Sequence, residues 1–139
     1  MSKDIKEYDM LDKAKFGDDL MFDASALPNN TTLNSDVFQF GQSQISLGLT
    51  VVANTSIVIA DTKILKIELL HDSEKDGSFA SSVIIYDKTA SGAETIALGT
   101  ELVNYVPNED VKQYCKLKVT TDSDLSTYKI DSWTYQIPR

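Results

Sequence analysis

The chain has 139 residues, 42% of them apolar, and a formal net charge of −8. That length fits one domain with a core large enough to need no disulfide or metal staple. Its 13 Lys and Arg are dispersed among 21 acids, which argues against a nucleic-acid surface, and no apolar run approaches the roughly 20 residues that span a bilayer.

Residues 2–19 are rich in Lys, Asp and Glu, with Ile5, Tyr8, Leu11 and Phe16 spaced between the charges. The first residues show neither the apolar core nor the cleavage site of a secretory signal. A short helix or an extended arm fits this composition. An N-terminal arm over residues 1–23 is the expectation, because charged termini are poorly held unless they dock. The body then covers residues 24–139. Leu27-Pro28-Asn29-Asn30-Thr31-Thr32 reads as a loop, since Pro and paired Asn resist regular structure. The sequons Asn30-Thr31-Thr32 and Asn54-Thr55-Ser56 read as turn residues where no secretory route is visible.

Strand signals then recur. Residues 37–40 end at Gly41, and residues 49–52 follow Gly48. Residues 63–70 are the clearest: Leu65, Ile67 and Leu69 fall on one face, with Lys66 and Glu68 on the other. A period of two marks a half-buried strand. After a turn at 72–78, residues 79–86 form the next strand, followed by a turn at Ser91-Gly92. Residues 95–98 are short and stop at Gly99. Residues 114–121 alternate well until Asp122-Ser123-Asp124, and residues 128–137 close the chain before Pro138. Roughly eight short strands at regular spacing predict an all-β antiparallel sandwich or barrel, since parallel pairs need long crossovers. A sandwich core of Leu65, Ile67, Leu69, Ile84, Leu117 and Val119 is expected.

The chemical inventory is small: one His, one Cys and one Trp. A lone Cys115 excludes an internal disulfide, and alternation places it beside Leu117 and Val119 as a small core residue. His71 is the one histidine available to it as a base, and it reads as a solvent-facing residue at a strand end. Asp72-Ser73-Glu74-Lys75-Asp76-Gly77 resembles the start of a calcium loop, yet the twelfth position is Val83 rather than Glu. A solvated hairpin turn is the simpler reading. Trp133 and Tyr135 share one face of the last strand, where they would stack on a sugar, pack in the core or meet another subunit. No catalytic residues, cofactor or metal ligands are assigned, and the chain is expected not to be an enzyme.

Several segments, taken in order, resemble a known group. These are Met10-Leu11-Asp12, Phe16-Gly17-Asp18, Leu47-Gly48-Leu49-Thr50-Val51, the strand at 65–70 with an acidic turn closed by Phe79, and Ile96-Ala97-Leu98-Gly99-Thr100-Glu101-Leu102. Val106-Pro107 leading to Tyr114-Cys115-Lys116-Leu117 completes the series. The chain resembles the jelly-roll capsid cement, or decoration, proteins of tailed bacteriophages from about residue 10 to residue 136. It departs from them at Tyr128-Lys129-Ile130, where Gly is expected before Lys, and in residues 2–9, which precede the family's usual start.

What the resemblance implies is a jelly-roll virion protein on the outer surface of a phage head. It would be made in the host cytoplasm, bridge major capsid subunits and form a homo-oligomer, a dimer or trimer. Neither nucleic acid nor membrane is an expected partner. Partner contact is expected in the arm, through Tyr8, Leu11, Lys13, Lys15 and Phe16; a solvated tail or a first strand of the body are the alternatives. The competing function is a carbohydrate-binding module of a head fibre or surface adhesin, with Trp133 or Tyr135 on an exposed platform.

Overall fold

The computed structural model describes residues 20–39, 47–107 and 110–136, which form strands and no helix. The strands are β1 (Leu20–Ala26), β2 (Thr32–Asn34), β3 (Phe38–Gln39), β4 (Leu47–Ala53), β5 (Ile57–Ile59), β6 (Ile64–Asp72), β7 (Ser81–Thr89), β8 (Glu94–Ile96), β9 (Glu101–Tyr105), β10 (Tyr114–Thr121) and β11 (Lys129–Gln136). Every pairing among them is antiparallel. One sheet runs β1-β11-β4-β9. The second runs β2-β10-β6-β7, with β3 also on β10, and β5-β8 form a small third sheet.

The alternation seen in the sequence sets the faces. In β6, Leu65, Ile67 and Leu69 are fully buried, and in β10 the same holds for Cys115, Leu117 and Val119. Register places these rows directly opposite one another, Leu69 against Leu117 and Ile67 against Val119. Leu49, Val51 and Ala53 of β4 and Ile130 of β11 join them in one hydrophobic cluster. The two large sheets therefore pack face to face, as expected of a β-sandwich. Burying each large aliphatic side chain here contributes about 1.5–3 kcal/mol. Ile57 and Ile59 of β5 also belong to this cluster, so the small sheet closes one end of the core.

Among the described residues, the edges of the large sheets are blunted. Register shifts interrupt the pairing of β1 with β11, of β9 with β4 and of β7 with β6, while β2 and β3 span only 3 and 2 residues. Bulges and short edge strands oppose edge-to-edge association.

Three expectations need correction. Ile84 is not core; it is 52% exposed. The bulge between Ile67 and Glu68 puts Ile84 opposite Glu68, whose side chain lies on the face away from the core, and so shifts the register of the apolar run in β7. His71 does not face solvent. It continues the inward row Leu65-Ile67-Leu69 and is 8% exposed. Phe79 precedes β7 rather than beginning it: its φ of 53° breaks the extended backbone, yet its ring is buried.

β1, β2, β5 and β9 are additional to the strands the pattern suggested. β1 lacks clean alternation because Ala24, at φ 48°, interrupts it; the Asp131 carboxylate accepts the Ala24 N–H at 2.7 Å. β1 also crosses the boundary expected at residue 23. Residues 1–19, which hold most of the expected arm, lie outside the described residues.

Candidate functional site

Three places carry the chemistry that the sequence singled out, and a fourth is a cavity. The first is the aromatic pair on β11. Ile130 points into the core, so alternate residues 131, 133 and 135 lie on the other face of the sheet. There Trp133 is opposite Thr50, and Tyr135 is opposite Gly48. The Tyr135 ring lies across Gly48: a Cβ at that position would come within 2.6 Å of the hydroxyl oxygen and 2.9 Å of Cε1. The Tyr135 hydroxyl donates to Asn104 Oδ1, and the Thr50 hydroxyl donates to Glu101 Oε2. Trp133 is 1% exposed, Tyr135 6% and Thr50 0%. This is a closed polar-aromatic layer rather than an open stacking platform. Sequence reasoning placed the two aromatics on one face but missed Gly48, Thr50 and Asn104, which complete it. A glycine inside an otherwise apolar strand was the available signal.

The second is the histidine–cysteine neighbourhood. His71 and Cys115 are cross-strand partners. Both are tied to Lys112: its backbone N–H donates to His71 Nδ1 at 3.2 Å, and the Cys115 thiol donates to its carbonyl at 3.5 Å. The Nδ1 lone pair is engaged, so the ring is neutral in this arrangement. Burial, followed by the nearby Lys112 charge, lowers the His71 pKa from its ordinary value, with Asp72 opposing. Burial pushes the Cys115 thiol up to about 12. A thiolate nucleophile needs the opposite environment. The pair fastens the β9–β10 connection to the sandwich.

The third is the acidic turn at residues 72–78. The Asp72 carboxylate accepts the Glu74 N–H at 2.8 Å and the Phe79 N–H at 3.1 Å. Those two hydrogen bonds, the Glu74 one first, hold Asp72 below the usual carboxylate range. The Lys116 ammonium sits 5.0 Å above the centre of the Phe79 ring. Asp72 thus serves as a turn-stabilising acceptor. Among the described residues no group of three or more His, Cys, Asp or Glu is placed to hold a metal ion.

The fourth is a cavity of about 510 Å³ at the end of the sandwich opposite β5-β8. Leu20, Met21, Leu47 and Phe38 line it together with Tyr114 and Lys75. Sequence reasoning did not bring these residues together, because they come from five separate segments. The expected partner residues Tyr8, Leu11, Lys13, Lys15 and Phe16 lie outside the described residues.

No protein-family model matches the chain, and no curated protein matches it.

Proposed function

We propose that this protein is a non-enzymatic capsid cement protein that binds the outer surface of a tailed-phage head and bridges major capsid subunits. Strand order supports a jelly roll as its body. Counting β2 and β3 as one strand and setting β5-β8 aside leaves eight strands. One sheet then takes the first, eighth, third and sixth, and the other the second, seventh, fourth and fifth. That order supports a jelly-roll reading, and the jelly roll is a fold that viral capsid and lectin domains share. Fold alone therefore does not choose between assembly and sugar binding.

The observation that favours assembly is the burial of Trp133 and Tyr135, at 1% and 6% exposure. A stacking lectin needs those rings open to ligand. The engagement of His71 and Cys115 with one backbone residue, Lys112, also favours a structural role. Attachment runs through the N-terminal segment, where Tyr8, Lys13 and Lys15 offer an aromatic ring and two cations to a partner surface. Leu11 and Phe16 are the apolar members of that segment. The blunted edges favour contact between copies through loops, faces or that segment over contact through paired edge strands.

The test is location. The protein should co-purify with intact virions and appear on their heads by electron microscopy. Full-length protein carrying Lys13→Glu and Lys15→Glu should remain folded and attach more weakly. Absence from purified virions, or glycan binding that a folded Trp133→Ala variant loses, refutes the reading.

A further inference from the structure

The cavity at the end of the sandwich draws its walls from both layers: Leu47 comes from the first sheet and Tyr114 from the second. Its volume of about 510 Å³ lies within the roughly 300–1,000 Å³ of small-molecule sites. What sets it apart from a packing gap is a hydroxyl without a partner. Ile130, Ser132 and Thr134 share the inward face of β11. The Ser132 hydroxyl donates to the Thr50 carbonyl at 2.9 Å. Thr134, two residues on and 8% exposed, makes no side-chain hydrogen bond among the described residues. Ser123 Oγ is the one described side-chain oxygen that is both unpartnered and sealed from solvent. The Thr134 oxygen therefore reaches open space, and the cavity that Thr134 lines is that space. Hydroxyls buried this deeply ordinarily have partners. For Thr134 the partner must come from whatever occupies the cavity.

The other polar groups narrow what that occupant is. Asp36 and Lys75 line the same cavity, and both are exposed, so they stand at its mouth. Neither forms an ion pair among the described residues. One carboxylate and one ammonium leave the mouth without net charge, so an ion of either sign is drawn by one and repelled by the other. The carboxylate accepts hydrogen bonds, the ammonium donates them, and the Thr134 hydroxyl does both. A neutral molecule bearing several hydroxyls can use all three. The apolar wall at Leu47 and the aromatic residue Tyr114 suit a ligand that also presents a flat C–H face.

We propose that this cavity binds a neutral sugar, a mono- or disaccharide unit. Thr134 bonds a hydroxyl at the inner end, Asp36 and Lys75 bond hydroxyls at the mouth, and the ring's C–H face rests on Leu47 and Tyr114. The site is distinct from the closed face of Trp133 and Tyr135. It goes beyond the capsid reading and holds whether or not the protein decorates a head.

The test applies tagged full-length protein to an array of neutral, sialylated and sulfated glycans. The neutral glycan with the strongest signal is then titrated by calorimetry. Thr134→Val keeps the side-chain shape and removes the hydroxyl; Asp36→Ala and Lys75→Ala change exposed positions. Each should weaken binding about tenfold or more while circular dichroism is unchanged. Lys118→Ala, on the outer face of β10, should bind like the parent. If Thr134→Val does not fold, the two mouth variants decide. Binding to no glycan overturns the proposal, as does a signal confined to sialylated or sulfated glycans. Unchanged affinity in the folded variants also overturns it and puts the sugar elsewhere. Co-purification with virions is a separate readout, so either reading can fail alone.

Discussion

Replacing Gly48 with Ala tests the polar-aromatic layer on β4 and β11. The added methyl would fall within 2.6 Å of the Tyr135 hydroxyl oxygen, so the ring must leave its place. The ring is 6% exposed and its hydroxyl is bonded to Asn104, so it cannot swing away freely. Overpacking of this kind costs about 1–3 kcal/mol. Losing the hydroxyl's bond adds about 1 kcal/mol. Removing glycine from a strand returns about 0.5–1 kcal/mol, because alanine loses less freedom on folding. The net expectation is a loss of about 1–3 kcal/mol; for a chain of this size, 2 kcal/mol lowers Tm by roughly 6–8 °C. Urea unfolding followed by circular dichroism measures it. The decisive comparison is a double-mutant cycle with Tyr135→Ala. Without the ring, Gly48→Ala should be neutral or slightly stabilising. A cost that persists in that background, or a single variant within about 0.5 kcal/mol of the parent, refutes the account of why glycine occupies position 48.

The buried histidine makes stability depend on pH. The folded-state pKa of His71 lies below its ordinary 6.5, so between these values the unfolded chain binds more protons. Stability should be full above pH 6.5 and decline as pH falls through that window; a His71→Phe variant should lose this dependence, as read from urea midpoints. Asp72, also lowered, adds a further decline below its ordinary value of 3.8. Cys115 should resist a thiol reagent at pH 8 while the protein is folded and react on denaturation, because burial raises its pKa to about 12. Fast labelling of the native protein would contradict its placement. Leu117→Ala should cost about 2–5 kcal/mol, whereas Ile84→Asp should change stability by less than about 0.5 kcal/mol. A large loss from Ile84→Asp would show that β7 does not carry the bulge at Ile84 and Ile85.

Some of this was legible in the chain itself. β6 and β10 alternate without interruption, so their inward rows followed from the period of two, and an antiparallel fold followed from connections too short for crossovers. The same period already put Trp133 and Tyr135 on one face; carried one residue past the strand expected at 63–70, it also puts His71 in line with Leu69, against the solvent-facing reading. Periodicity assigns a residue to a side of a strand; it does not say what lies against that side. Whether Trp133 meets water or another layer depends on segments far away in the chain, as does the tie between His71 and Lys112, 41 residues apart. Ile84 shows a second boundary. One extra residue in β7 reverses the faces, and a bulge is set by pairing with β6 rather than by composition. The identities of inward residues were written locally, in alternation. The closed outer face, the shared anchor of the only His and Cys, and the blunted edges were decided by tertiary structure, because each needs groups that only folding brings together.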